Sequence, residues 1–244
     1  MEIKVFESYD EMSKAAADIL CGQLTVKPSS NIGITAGATP KRMYEYVVEK
    51  YRKGEVSFKD CTLFSLEEMC YPGLTKDHPA SICQDLGEQL LNKVDIKEGN
   101  FILPDCETDN PEEECRKYTR TIDSLLDGRL DMQIIGVGSD GHIGMNRPAK
   151  TLIGDCHVVD FKDVKEWTES IEGKFGLPIT KSMAMGVRNI LQAKTLVMIA
   201  NGKSKAEAIH QMVYGNITTE CPASLLQLHP NAMILLDKDA ASLL

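Results

Sequence analysis

One turn of the sequence combines a carboxylate, a flexible residue and an imidazole. Asp140, Gly141 and His142 follow an apolar run over 131–138, which predicts a buried strand. Histidine titrates near neutral pH and a neighbouring carboxylate can fix its tautomer, so this turn has the groups needed to move a proton. A plain turn without chemistry is the alternative. The four other histidines lack the spacing of metal ligands, and no metal site is expected.

Two consecutive carboxylates, Glu67 and Glu68, lie where the apolar run 61–66 should give way to a loop. Adjacent residues at a strand end point to opposite faces, so at most one of the two should face a site. A partly desolvated carboxylate there could abstract a proton from carbon. Two solvent-exposed glutamates at the start of a loop are the alternative.

Residues 35–40, Thr-Ala-Gly-Ala-Thr-Pro, connect a predicted strand at 31–35 to a predicted helix at 41–51. Free backbone N–H groups and the positive end of a helix dipole favour an anion at such a turn, so the segment is interpreted as a phosphate-binding loop. Thr39 suits the N-cap position and Pro40 the first helical turn. Spacing alone leaves an ordinary tight turn equally open. The residues expected to contact the anion are Thr35, Gly37, Ala38 and Thr39.

A further turn, which follows the apolar run 195–200, contains Gly202, Lys203 and Lys205. From there Lys205 could reach an anion at the start of the first helix. Lys203 could equally be the lysine that points inward, and most lysines are simply solvated.

These turns share one placement, because each follows an apolar run of strand length. In the helix at 41–51 the apolar residues recur at three- and four-residue spacing. Strands that alternate with helices predict an α/β fold, a doubly wound, mostly parallel sheet with helices on both faces, which is a Rossmann-like arrangement. Additional strands are expected at 1–6 and 233–236. Ligands of such sheets bind at the carboxyl ends of the strands, so the turns should converge on one site.

The chain of 244 residues has no internal repeat and no linker-like segment, which predicts a single domain over residues 1–244. A formal net charge of -9 argues against nucleic acid and anionic membranes as partners. No apolar run approaches the ~18 residues of a membrane span. A homo-oligomer remains open.

Eight cysteines show no C-x-x-C spacing, and the segment Met1–Phe6 has the pattern of a strand rather than of a targeting signal. Reduced thiols and a cytoplasmic location are therefore expected.

Five segments together resemble the glucosamine-6-phosphate deaminase/isomerase family, which shares its fold with 6-phosphogluconolactonases. The similarity runs nearly end to end. The Ile-Gly-Met-Asn continuation of the Asp-Gly-His turn is similar to the deaminase branch, and the approach 178–181 to the segment 182–186 is similar to galactosamine-6-phosphate members. The five segments are Ala36–Pro40, Ser65–Glu68, Gly136–Asn146, Gly202–Ala208 and Pro222–His229.

The resemblance implies conversion of a hexosamine 6-phosphate, glucosamine- or galactosamine-6-phosphate, to the ketose 6-phosphate and ammonia. Glu67 would move a proton between C2 and C1, and His142, oriented by Asp140, would help to open the ring. No metal or organic cofactor is implied, since the amino group leaves and a carboxylate serves as base. The implied catalytic residues are Glu67, Asp140, His142 and Arg147. The implied substrate-binding residues are Thr35, Gly37, Ala38, Thr39, Glu68, Gly141, Lys181 and Lys205.

Two residues depart from the family pattern. Deaminases normally have an aspartate at the position of Glu67, and a shift of about 1 Å in a catalytic group can cost about 100-fold. They usually have a glutamate that supports the histidine where this chain has Arg147, a permanent cation that should lower the pKa of His142. In addition, an arginine-bearing segment of many deaminases is replaced here by Lys165–Lys174, so a phosphate contact there would come from lysine.

Three hypotheses follow from these observations. The first is a hexosamine-phosphate deaminase/isomerase. The second is a hydrolase of the lactonase type, with His142 as base and Arg147 holding a carboxylate or oxyanion. The third is a sugar-phosphate sensor without catalysis. Arg147 would either bind a second anionic group of an acidic sugar phosphate or point to solvent.

Overall fold

The computed structural model describes the whole chain, residues 1–244. Its ten strands are Glu2–Phe6 (β1), Asn31–Ile34 (β2), Thr62–Ser65 (β3), Glu67–Cys70 (β4), Phe101–Ile102 (β5), Met132–Ile135 (β6), His157–Asp160 (β7), Lys181–Ala184 (β8), Thr195–Ala200 (β9) and Ala232–Asp237 (β10). Its seven α-helices are Tyr9–Val26 (α1), Ala38–Arg52 (α2), Ile82–Gln89 (α3), Pro111–Asp123 (α4), Lys165–Phe175 (α5), Val187–Leu191 (α6) and Ala206–Tyr214 (α7). Four 3-10 segments are Leu91–Lys93, Leu126–Gly128, Lys203–Lys205 and Pro222–Leu228.

Seven strands form a central sheet in the order β1-β10-β9-β6-β2-β3-β5, and every pair of neighbours is parallel. From β2 the chain adds β3 and β5 in one direction, and from β6 it adds β9 and β10 in the other; β1 completes the sheet beside β10. The predicted doubly wound parallel sheet is confirmed. Its strand order reverses between β2 and β6, and crevices for ligands form at such a reversal.

Successive strand residues alternate between the two faces of the sheet, and each face packs against helices. Ile134 and Val197 belong to the apolar cluster that includes α1 and α2. Their neighbours Ile135 and Met198 belong to the cluster that includes α4 and α7. Helices therefore cover both faces, as predicted.

A second sheet of three antiparallel strands, in the order β4-β8-β7, continues the chain beyond β3. Glu67 and Glu68 are its first residues, so the prediction that they begin a loop was wrong. Their strand forms by pairing with β8, far away in sequence, which no local pattern indicates. Residues of α5, including Trp167 and Ile171, pack on this sheet around Phe161.

We propose that residues 1–244 form one domain. Met183 of β8 and Met185, which directly follows β8, pack in the same apolar cluster as Met198 of the central sheet. The amide of Met185 also donates to the carbonyl of Leu66, at the junction of β3 and β4, at 2.9 Å. No helix combines the length and the apolar character that crossing a membrane requires.

Candidate active site

A cleft of about 180 Å³ opens at the carboxyl ends of β2 and β6, where the strand order reverses. It brings together the turns that follow β2, β3 and β6. The predicted strand at 131–138 ends early, at Ile135, and the residues that follow it form one wall of the cleft. The lining residues are Thr35, Ala36, Gly37, Ala38, Thr39, Pro40, Glu67, Gly136, Val137, His142 and Gly144.

The loop after β2 leaves the start of α2 open to the cleft. Gly37 precedes the helix with a φ of 110°, a conformation that favours glycine, and no side chain caps the helix. The first N–H groups of α2 are therefore available to an anion. Thr39 is not the N-cap as predicted, because the helix already begins at Ala38; Pro40 lies in the first turn as expected.

The hydroxyl of Thr39 donates instead to Oδ1 of Asn201 at 2.9 Å. Asn201 follows β9, so this hydrogen bond ties the fourth predicted turn to the phosphate loop. Nothing in the sequence singled out Asn201. The hydroxyl of Thr35 donates to the Ala36 carbonyl at 3.3 Å, so Thr35 lines the cleft without a free side-chain donor.

The imidazole of His142 is held by Asp140. Nδ1 lies 2.5 Å from Oδ1 of Asp140, and the backbone N–H of His142 donates to the same oxygen at 3.1 Å. The carboxylate partner assigns the proton to Nδ1 and leaves Nε2 as an acceptor. Desolvation lowers the pKa of His142, and Lys205 and Arg147 lower it further, against the raising effect of Asp140. His142 is therefore neutral near pH 7 and can accept a proton.

Gly138 was missed as a site residue, although it stands in the predicted strand. A Cβ at this position would lie 2.0 Å from the ring of His142, so only glycine allows the imidazole to pack there. Gly141, predicted to bind substrate, does not line the cleft. It lies against Cys221, and its carbonyl accepts from the N–H of Ala223.

The two glutamates of β4 occupy different environments. Glu67 lines the cleft, and its Oε2 is buried without a hydrogen-bond partner. Desolvation and the neighbouring charge of Glu68 raise the pKa of Glu67 to about 7. A carboxyl group with such a pKa can take and return a proton near neutral pH.

Glu68 is fully buried beneath the start of α3. Desolvation raises its pKa, and four hydrogen bonds oppose this effect. The structure does not bring Glu68, which was predicted to contact substrate, to the cleft, because both of its oxygens are engaged inside the protein. The donors are the hydroxyl of Ser81 and the backbone N–H groups of Met69, Ile82 and Cys83.

Of the two lysines expected at the phosphate, one lies near the predicted catalytic groups and the other does not. Lys205 ends the 3-10 segment before α7 and lies close enough to His142 to lower its pKa. Lys181 is exposed and lies opposite Cys70 in the pairing of β8 with β4. Cys70 is three residues along β4 from Glu67, so the backbones of Lys181 and Glu67 are separated by roughly 10 Å along the strand direction. The structure therefore does not bring Lys181 to the cleft.

A neighbouring cavity of about 460 Å³ shares Gly37 and Ala38 with the cleft. Lys174 at the end of α5 and Lys41 in α2 both line it. Of the segment 165–174, Lys174 is therefore the lysine that lies in a cavity next to the phosphate loop. No group of three or more His, Cys, Asp or Glu side chains is arranged to hold a metal ion.

Comparison with known proteins shows the family of the chain. Residues 7–235 match the model of the family described as glucosamine-6-phosphate isomerases/6-phosphogluconolactonase. The chain belongs to this family. A glucosamine-6-phosphate deaminase of Thermoanaerobacter pseudethanolicus is 38% identical, with 100% of this chain and 95% of that protein covered. One from Alkaliphilus metalliredigens is 36% identical, with both chains fully covered.

Solved structures of this family agree with the fold. The structure of a monomeric glucosamine-6-phosphate deaminase superposes with a TM-score of 0.91 at 32% identity, with both chains fully covered. The 6-phosphogluconolactonase of Trypanosoma cruzi superposes with a TM-score of 0.78 at 18% identity, over 99% of this chain and 96% of the other. At that identity the second similarity shows the shared fold alone.

In this member of the glucosamine-6-phosphate isomerase/6-phosphogluconolactonase family, Arg147 does not point away into solvent. Its guanidinium carbon lies 5.2 Å from the ring centre of Trp167. The same indole contacts the ring of His142 edge-on, with 5.1 Å between the centroids. Nε of Arg147 is buried and has no hydrogen-bond partner. Arginine, indole and imidazole thus form one contiguous group, in which Trp167 was missed because α5 is distant in sequence.

Proposed function

We propose that this chain converts a hexosamine 6-phosphate and water to the ketose 6-phosphate and ammonia. The observation that carries the proposal is the meeting of two proton-transfer groups, Glu67 and His142, in one cleft beside an uncapped helix start. The relatives named as glucosamine-6-phosphate deaminases support the same activity. Their names favour the gluco epimer, whereas the segment 178–186 favours the galacto epimer.

The phosphate is placed at the start of α2, against the backbone of Gly37, Ala38 and Thr39. Lys205 offers charge from the turn after β9, and Lys174 from the adjoining cavity. Both arrangements use the preference of helix N-termini and ammonium groups for phosphate oxygens.

The chemistry begins with ring opening. Nε2 of neutral His142 accepts the proton of the C1 hydroxyl, the C1–O5 bond breaks, and the proton returns to O5. Asp140 holds the imidazole in the tautomer that this requires.

Ionised Glu67 then removes the proton from C2, and the aldehyde oxygen takes a proton from the C2 ammonium group, which gives a neutral enolamine. Glu67 returns its proton to C1, and the product of this step is a protonated C2 imine. Water hydrolyses the imine to the ketone, and the nitrogen leaves as ammonia in its protonated form. A carboxyl group with a pKa of about 7 serves both directions of this proton transfer.

The test is to incubate the full chain with glucosamine 6-phosphate and with galactosamine 6-phosphate and to measure ammonia and the ketose phosphate. We expect turnover of one epimer and its loss in Glu67→Gln. Absence of ammonia together with faster hydrolysis of 6-phosphogluconolactone would overturn the proposal. Thermal stabilisation by both hexosamine phosphates without any turnover would instead favour a sensor.

A second candidate is a lactone hydrolase, favoured by the neutral His142 beside the cation of Arg147. His142 would activate water, and Arg147 would hold the developing oxyanion. Lactone hydrolysis would survive Glu67→Gln, because no proton moves between carbon atoms, whereas deamination would not.

A cytoplasmic location is part of the proposal, since all eight cysteines are free thiols and reducing compartments maintain that state.

A further inference from the structure

Arg147 is a cation without a counterion beside the reacting groups. It forms no ion pair and no hydrogen bond, and its Nε is buried. Its only strong contact is the face of Trp167, which leaves the in-plane N–H donors unused. Arg147 is half-buried, and its Nε is a buried donor without a partner, so an anion that accepts from this N–H would remove the cost of leaving it unpaired.

The charged groups around His142 also leave an excess of positive charge. Lys205 and Arg147 both act on the imidazole, and Asp140 is already engaged by the His142 ring and amide. A phosphate at the start of α2 would compensate Lys205. The charge of Arg147 would still be unmatched.

The cleft itself has a group of the opposite charge. The carboxyl group of Glu67 lines the cleft and has an unpartnered oxygen, which can accept from an ammonium group. Arg147 adjoins the cleft, because it packs on Trp167, whose ring also contacts the cleft residue His142. A planar guanidinium matches the two oxygens of a carboxylate, so the two groups together fit the amino and carboxylate groups of an α-amino acid.

We propose that Arg147 forms a second anion-binding subsite, and that this cleft takes amino-sugar phosphates with a carboxylate at the reacting end, of the 2-amino-2-deoxyaldonate 6-phosphate class. The inference rests on the proposed phosphate site and adds a second class of ligand to the hexosamine 6-phosphates of the proposed function. Phosphate binds at α2 and Lys205, the amino group lies toward Glu67, and the carboxylate accepts from Arg147.

Two probes that differ only at C1 test the proposal: 2-amino-2-deoxygluconate 6-phosphate, which has a carboxylate, and 2-amino-2-deoxyglucitol 6-phosphate, which has a hydroxymethyl group. Trp167 is the single tryptophan and touches both Arg147 and His142, so its fluorescence reports binding, with calorimetry as a second readout. We expect the carboxylate probe to bind at least about tenfold more tightly, because hydrogen bonds to charged groups are among the stronger ones.

Arg147→Met should remove this preference and leave the affinity for the alcohol probe unchanged, while Arg147→Lys should keep part of it. Arg52→Met, which removes an exposed arginine at the far end of α2, is the matched control and should keep the full preference. Equal affinities in the unmodified protein, a preference that survives Arg147→Met, or equal loss of both probes in that variant would each overturn the inference. Deamination of a hexosamine 6-phosphate together with equal probe affinities would leave the proposed function standing while this subsite fails. Failure of both probes to bind would refute the phosphate site as well.

Discussion

Glu67 and Glu68 are consecutive residues whose carboxyl groups are stabilised in opposite ways. Both oxygens of Glu68 accept hydrogen bonds from the start of α3, whereas Oε2 of Glu67 is buried and accepts none. Three of the four partners of Glu68 are backbone N–H groups, which can only donate and so favour the ionised carboxylate; Glu68 is therefore the partner that holds the charge. That fixed charge, together with desolvation, keeps the proton on Glu67 up to about pH 7.

The activity should therefore rise with pH through neutrality. Glu67 is a base only when ionised, and its pKa is raised from 4.5 to about 7. We expect kcat/KM for the hexosamine phosphate to increase between pH 6 and 8, measured by ammonia release. Glu68→Gln removes the neighbouring charge and should move this limb to lower pH. A profile that is flat over this interval would contradict the assignment of Glu67 as base.

The same shift makes a prediction about stability. A folded-state pKa above the unfolded value means that the folded protein holds the proton more tightly. The contribution of protonated Glu67 to the free energy of unfolding is complete below pH 4.5 and is lost as pH rises through about 7. Glu67→Gln removes this loss, so it should gain stability relative to the unmodified protein between pH 5 and 8, by up to roughly 3 kcal/mol.

Urea unfolding at pH 5 and at pH 8 measures the difference in free energy of unfolding between Glu67→Gln and the unmodified protein. Glu88→Gln on the exposed side of α3 is the control, and its stability relative to the unmodified protein should be the same at both pH values. A difference between Glu67→Gln and the unmodified protein that does not change with pH would count against burial of a neutral Glu67.

The sequence predicted the central sheet because its buried strands are continuous apolar runs, which is typical of parallel sheets covered on both faces. The positions of Gly37, Glu67 and His142 at one edge followed from that topology. The second sheet was not predictable, because β4 is short and polar and is held by pairing with β8. The role of Glu68 depends on the same long-range packing, since α3 starts above β4.

Trp167 illustrates the other limit of sequence reasoning. Its contact with His142 depends on how α5 packs over the small sheet, and neither helix period nor spacing indicates that contact. Arg147 could be recognised as unusual from the sequence. Its lack of a counterion could be seen only in three dimensions.

Lys205 and Lys181 provide a matched pair for the phosphate site. Lys205 lies close enough to His142 for its charge to lower the pKa of the imidazole, whereas Lys181 is exposed near the outer end of the small sheet. Lys205→Met should raise the KM for the hexosamine phosphate about tenfold or more, as expected when a charge-assisted contact is lost. Lys181→Met should change it less than about twofold, within the range of surface substitutions. Equal effects of the two substitutions would place the phosphate elsewhere.

Arg147→Glu should raise deamination of the hexosamine phosphate. The substitution replaces a cation near His142 by an anion, which raises the pKa of the imidazole and stabilises its protonated form during ring opening. It also removes a positive charge that repels the substrate's ammonium group. We expect kcat/KM, measured by ammonia release, to increase several-fold, and the preference for a carboxylate ligand to disappear.

Arg52→Glu makes the same change in net charge far from the cleft and should leave kcat/KM unchanged, which separates a local effect from an overall electrostatic one. Because Arg147 packs on Trp167, the variant must first be shown to unfold at the temperature of the unmodified protein. Unchanged or lower activity in a variant that passes this check would mean that Arg147 does not hold back deamination. The unpaired guanidinium would then serve the packing of Trp167 against His142 rather than the choice of substrate.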